Sequence, residues 1–435
     1  MTDPVTTPDT QPVEPASVPR KNFVRRFFSA LGPGLVTGAA DDDPSGVATY
    51  SVAGAQLGTA LLWTAALTWP LMATVQMMCA RIGMVTGQGL AGAMRKKLPK
   101  QLLVVFSSLL LVANTINIAS DLSGMADAAE MLTGWNSHWF VVPFGVGIAW
   151  ATVRLRYYQI AMVLKWLALS LFAYVVTAFL VGPNWREVAG AAFVPSVPSG
   201  REWWGALVAI LGTTISPYLF FWQAGQEVEE EKAMGRRMLV QRVSASPKEI
   251  ATRRLDVGVG TFFSNVVMFF IILTTALTLH RHGITKIETS RQAAEALVPL
   301  AGKFAALLYT AGIIGVGLLA IPTLAGSAAY AFAETFRWRH GLDLKFRNAR
   351  YFYAVVILST AAGIALDFLN VNPIRALYWT AILNGLLAPF LLVGILLIAS
   401  DRKLMAGQPS SAWSLGVVAG TALLMFAAAV GMFVL

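Results

Sequence analysis

The chain has 435 residues, of which 56% are hydrophobic and only 13% charged, with a mean hydropathy of +0.62. Soluble domains carry about 25% charged residues, so a soluble globular protein is excluded and a polytopic membrane protein is indicated. The net charge of +10 is not a nucleic-acid footprint, because the basic residues sit in short stretches between apolar segments.

Residues 1–30 read as a disordered cytoplasmic tail, rich at first in Pro, Thr and Asp. Arg20, Lys21, Arg25 and Arg26 then precede an apolar segment with no small-residue cleavage site, so no signal peptide is expected. Segments of spanning length follow at 31–58 (interrupted), 60–86, 101–122, 138–153, 157–181, 204–225 (interrupted), 256–279, 304–333, 351–368, 376–399 and 413–435. These predict eleven transmembrane helices and an all-α membrane protein. With the N-terminus inside, RKKLPK, RLR, GRRMLVQR with KEIATRR, and RWRHGLDLKFR all fall on the cytoplasmic side, as the positive-inside rule requires. The C-terminus is then outside, and the expected location is the plasma (inner) membrane. Cys79, the one cysteine, excludes an intramolecular disulfide and a cysteine-based metal cluster; it reads as a small buried hydrophobe. Trp135, Trp139, Trp185, Trp203, Trp204 and Trp413 lie near span ends and read as interfacial anchors.

The first span carries Asp41, Asp42 and Asp43 immediately before Pro44. A carboxylate at the bilayer centre costs about 2.5–3.5 kcal/mol, so three in a row demand a cation, water or a proton. Pro44 prevents a continuous helix, because it lacks a donor and clashes with the preceding turn. Span 6 repeats the pattern with Ser216-Pro217. In both, a capping side chain is expected to precede a proline that opens a new half-helix. Spans 1 and 6 would then be matching members of two five-span repeats, 31–182 and 203–400, with 401–435 as a linker and final span. The odd count gives the repeats opposite orientation, and interrupted helices in matching positions point to a binding site between them.

The first half of each broken helix ends in unpaired carbonyls of negative partial charge. Asp43, the carbonyls near Ala40 and Thr213, and the hydroxyls of Ser216 or Ser45 form a candidate cage. These are hard ligands, suited to Mg²⁺, Ca²⁺ or Mn²⁺ rather than Cu⁺ or Zn²⁺. Asp42 is a candidate pathway residue, as is Asp121, which shares a face of span 3 with Asn114 and Asn117. Glu227, nearest the membrane in an acidic stretch closing span 6, is a candidate cytoplasmic exit for cations. No span offers a nucleophile–base pair or a histidine set, so no enzyme and no bound cofactor are expected.

GPGLVTGAADDDPSGVATYSVAGAQLG followed by LLWTAALTWPLMATVQMMCARIGMVTG resembles the first two helices of the natural resistance-associated macrophage protein (NRAMP) divalent-metal transporters. SDLSG, GTTISPY and AAEALVPLAG extend the resemblance over most of the chain. It implies a LeuT-like fold with broken helices 1 and 6, importing Mn²⁺ or Fe²⁺, usually with protons. Asp43 and Pro44 match the family's Asp-Pro-Gly-Asn motif, while Ser45 replaces the glycine and Gly46 the metal-binding asparagine. In span 6 the family reads Met-Pro-His; here Ser216 stands for the methionine and Tyr218 for the histidine, with Gln223 where a second histidine sits. Asp121 keeps the family's span-3 aspartate, but the acidic residue three positions on is Gly124. Asn384, with Thr380 one turn away, is in span 10, which borders the site in this fold.

Losing methionine sulfur removes discrimination against hard ions, and losing histidine and an acid removes groups that relay protons near neutral pH. Both changes resemble the NRAMP-related magnesium-transporter branch. The expected site is therefore Asp43, Ser45, Gly46, Thr213 and Ser216. Asp42, Asp121, Tyr218, Gln223, Glu227 and Asn384 line the pathway or support the site. The expected function is import of Mg²⁺ and/or Mn²⁺ by a monomer whose partners are the ion and the lipid bilayer. The alternatives are a proton-coupled Mn²⁺/Fe²⁺ symporter and, further away, a Na⁺-coupled amino-acid symporter of the same fold.

Overall fold

A computed structural model describes residues 37–38, 40–155, 169–197, 200–369 and 371–434. The N-terminal tail, the start of span 1 and the first part of span 5 lie outside the described residues. All regular structure among the described residues is helical. A helical segment reaching residue 41 leads into α1 (Pro44–Leu57), and α2 (Trp63–Thr86), α3 (Lys100–Thr133), α4 (His138–Arg154) and α5 (Ala173–Val181) follow. The second half comprises α6 (Arg201–Thr214), α7 (Pro217–Ala233), α8 (Pro247–Thr278), α9 (Ala305–Phe336), α10 (Arg350–Asp367), α11 (Pro373–Ala399) and α12 (Ala412–Val434).

Every predicted span therefore carries helix. Among the described residues, seven are long and apolar enough to cross a membrane: α3, α6 with α7, α8, α9, α10, α11 and α12. The helices on spans 2 and 4 are shorter or less apolar, and spans 1 and 5 are described only in part. Several ends differ from prediction because polar residues continue a helix past the apolar run. α3 continues to Thr133, α7 to Ala233, and α8 begins at Pro247. There a Ser246–Glu249 capping box and proline at the first position set the start.

α3 runs along α9, α10 and α11; α2 packs on α7, α8 on α1, and α6 on α11. The α6–α11 crossing is close because it is made by glycines. A Cβ on Gly212 would sit 2.1 Å from the Ala381 carbonyl oxygen, and one on Gly385 would sit 2.4 Å from that of Val208. Small residues at such crossings let helix backbones touch. This contact seats the end of α6, and with it Thr213, against the bundle. Trp203 departs from its expected role: it is 3% exposed and packs edge-on against Trp204, with ring centroids 4.8 Å apart. It is a packing residue rather than a lipid anchor, because α6 lies between α11 and α12. Trp135, Trp139, Trp185 and Trp413 are exposed as anchors should be.

Candidate metal site

Both predicted breaks are present, and Pro44 and Pro217 each open the second half-helix. At the first break Asp43 is extended (φ −67°, ψ 170°). Its Oδ1 accepts the Gly46 N–H at 2.7 Å, the hydrogen bond of an N-cap. Its Oδ2 accepts from Asn117 Nδ2 of α3 at 3.2 Å. Gly46 thus enters the site through its N–H, which steers the carboxylate.

At the second break the expected capping is absent. Ser216 donates to the Thr213 carbonyl at 2.5 Å and the Gly212 carbonyl at 2.9 Å, and caps nothing in α7. A serine hydroxyl is short enough to turn back on the preceding turn, and here the carbonyls it meets would otherwise be orphaned. The carbonyl near Ala40 is covered in the same way, by the Tyr218 hydroxyl at 2.9 Å. Neither carbonyl expected to be unpaired is therefore bare. Each has a hydroxyl from this chain, and Tyr218, in the family histidine's place, ties the second break to the first.

The two breaks face each other across Gly46. The point where a Cβ would stand on Gly46 lies 3.2 Å from Thr213 Oγ1, 3.4 Å from the Asp41 carbonyl oxygen and 3.4 Å from Asp43 Oδ1. Thr213 Oγ1 and Ser45 Oγ are buried without a hydrogen-bond partner. Around them Asp41 and Asp42 share Ser264 of α8, at 2.6 Å and 3.2 Å, while Asp41 Oδ1 stays unpartnered. Asp121 is fully buried with neither carboxylate oxygen hydrogen-bonded, and the side-chain oxygens of Asn117 and Asn384 are also free. Thr380 bonds Ser120 of α3 at 3.0 Å, a helix-to-helix tie. Asn114 likewise serves α9, donating to the Leu324 carbonyl and Ser327 Oγ, both at 2.8 Å. Where the family has a second span-3 acid, a Cβ on Gly124 would be 3.0 Å from Leu377 Cδ1, so apolar packing has taken that space. No group of three or more His, Cys, Asp or Glu suited to a metal occurs among the described residues; the assembly is one carboxylate with neutral oxygens.

Gln223 accepts from Thr37 Oγ1 at 2.8 Å and donates to Glu227 at 2.7 Å. Glu227 is not the free acid of an exit. Arg253 Nε meets it at 2.7 Å, and the same guanidinium bonds Glu230 and, at 2.5 Å, Asp256. A buried carboxylate needs such a partner. Arg253 and Ser264 are absent from the sequence-derived set. Arg253 left a signal in its i, i+3 spacing to Asp256 at the mouth of an apolar run; Ser264 left none.

A family model described as natural resistance-associated macrophage protein-like matches residues 34–435. The chain belongs to that family. Among NRAMP-like relatives, a divalent metal cation transporter MntH of Deinococcus radiodurans is 25% identical over 394 residues, covering 88% of this chain and 84% of the relative. One from Aeromonas hydrophila is 24% identical over 411 residues, covering 91% and 92%. Among solved structures, the Eremococcus coleocola manganese transporter, crystallised with an aromatic bis-isothiourea compound, superposes with a TM-score of 0.72 at 17% identity, covering 95% of this chain and 89% of that one. Mhp1, a nucleobase-cation-symport-1 family transporter, gives 0.55 at 16% identity, covering 88% and 81%. The NRAMP-like chain thus has the LeuT-like fold that its broken helices imply.

Proposed function

We propose that this chain carries divalent metal cations across the membrane by alternating access, with Mg²⁺ as the preferred cargo and Mn²⁺ as a second. The observation that carries this reading is the convergence of Asp43 Oδ1, the Asp41 carbonyl and Thr213 Oγ1 on one point between two helix breaks. The Ser45 hydroxyl is buried without a partner beside Gly46 in the chain, and the Ser216 hydroxyl bonds the Thr213 carbonyl. These are hard oxygen donors, with no sulfur or imidazole among them. Mg²⁺ dehydrates reluctantly and keeps several waters, and it takes oxygen donors of this kind. The relatives' names, divalent metal cation transporters, support a metal cargo.

Asp42, Asp121 and Asn384 hold the surrounding shell, and Tyr218, Gln223 and Glu227 link the two breaks to the cytoplasmic side. The reading includes two inverted repeats, 31–182 and 203–400, as the moving parts. Supporting them, α2 packs on α7 as α8 packs on α1, a pattern that survives exchange of the halves. The basic loops favour an inner-membrane protein with its N-terminus inside and C-terminus outside. A potential of 100 mV draws a divalent ion inward by about 4.6 kcal/mol, so uptake needs no coupling ion.

A second reading, proton-coupled Mn²⁺ transport, is favoured by the manganese transporter among the structural neighbours and by the unpartnered carboxylate oxygens of Asp41 and Asp121. Proteoliposomes loaded with metal-sensitive and pH-sensitive dyes decide between them. Uncoupled import gives metal influx with no internal acidification. Stoichiometric acidification rejects it in favour of the second reading.

A further inference from the structure

Between α2, α8 and the start of α12 lies a cavity of about 550 Å³ that the metal site does not use. Its polar end is formed by Arg81, Arg254, Ser410 and Ser411. Its other end runs along α2 past Met77 to Ala73 and along α8 to Gly258. From Arg81 to Ala73 the helix rises about 12 Å, so the cavity is a slot with a charged mouth and an apolar floor.

The mouth holds positive charge that no carboxylate among the described residues pairs with. Arg81 donates through Nη2 to the carbonyls of Gln408 at 3.0 Å and Pro409 at 3.2 Å, which fixes the guanidinium, and its Nε is buried without a partner. Ser410 is 6% exposed and its hydroxyl is also unpartnered. Arg254 is exposed, and its charge acts on that of Arg81. No carboxylate pairs with either among the described residues. The contrast is with the adjacent Arg253, which holds three. The opening N–H groups of α12 add the positive end of a helix dipole at the same place. Trp413, 79% exposed beside the mouth, sits as indole rings do at a headgroup boundary.

We propose that this cavity binds an anionic phospholipid from the leaflet facing the basic loops. Arg81, Arg254 and Ser410 hold its phosphate, and an acyl chain lies along the slot past Met77 and Gly258. Guanidinium groups match phosphate oxygens in geometry and charge, and a helix N-terminus favours the same anion. Inorganic phosphate shares that chemistry but would leave the apolar floor to water.

Native mass spectrometry of the full chain, released from nanodiscs containing phosphatidylglycerol and phosphatidylcholine, tests the site. The expected result is retention of phosphatidylglycerol over phosphatidylcholine by about tenfold, reduced by about fivefold in Arg254→Gln. That residue is exposed, so the variant keeps its fold. Gly258→Leu is the second arm. A Cβ there meets no atom within 4 Å, so leucine enters the slot without straining α8. It is expected to weaken lipid retention while leaving the protein's response to inorganic phosphate unchanged. Equal retention of the two lipids by the unaltered protein, or an undiminished phosphatidylglycerol adduct in both variants, overturns the proposal. Thermal stabilisation by inorganic phosphate without any lipid preference overturns it as well, assigning the mouth to a free anion.

Discussion

In span 1 the proline follows an aspartate that turns forward to cap Gly46; in span 6 it follows a serine that turns back onto Gly212 and Thr213. The two breaks share a cause, a proline without a donor, but differ in what the preceding side chain does with the freed groups. The aspartate takes up a freed N–H and leaves a carboxylate at the break. The serine takes up freed carbonyls and leaves no charge. In the proposed site, one break therefore supplies the negative charge and the other neutral oxygens. A proline motif places a discontinuity, and the residue before it decides which ion, if any, the discontinuity attracts.

The largest effect is expected from removing the charge at the first break. Asp43→Ala should abolish Mg²⁺ and Mn²⁺ binding in calorimetry, and Asp43→Asn should do nearly the same while retaining the cap, since asparagine caps as well as aspartate. Undiminished binding in the asparagine variant would mean that Asp43 is only a cap. Gly46→Ala comes next. Its methyl group would stand 3.2–3.4 Å from the three converging oxygens, and metal affinity should fall by about tenfold with little change in thermal stability. An unchanged affinity would place the ion elsewhere.

Ser216→Met exchanges a hard oxygen for sulfur at the second break and is expected to admit Cd²⁺ to uptake. Unaltered selectivity in a liposome flux assay would show that this side chain does not face the ion. The smallest effect is expected from Tyr218→Phe, which uncovers the Ala40 carbonyl. Loss of one buried hydrogen bond should lower stability by about 1 kcal/mol, read as a reduced unfolding temperature in detergent. No shift would mean that water replaces the hydroxyl.

Much of this arrangement is legible in the chain. Apolar length marks the spans, the triple aspartate before Pro44 marks the first break as the proposed ion site, and Ser216-Pro217 marks the second break. The spacing of Asn114, Asn117 and Asp121 correctly places three polar residues on a buried face of α3. The direction in which Ser216 turns is not legible, because cap and back-bond use the same residue at the same position. Nor is the neutralisation of Glu227, because its partner Arg253 arrives from another helix.

Hydropathy and proline act over a turn or two of backbone, so the sequence alone determined the all-helical membrane class, the two breaks and the acid at the first. The tertiary structure decided what those groups meet. Tyr218 reaches the Ala40 carbonyl across 178 positions of sequence, and Ser264 reaches Asp41 across 223. The charged mouth between α2, α8 and α12 likewise exists only once three distant helix ends are packed together. Hydrogen bonds and ion pairs act over a few ångströms of space, and packing alone sets which residues lie within that reach.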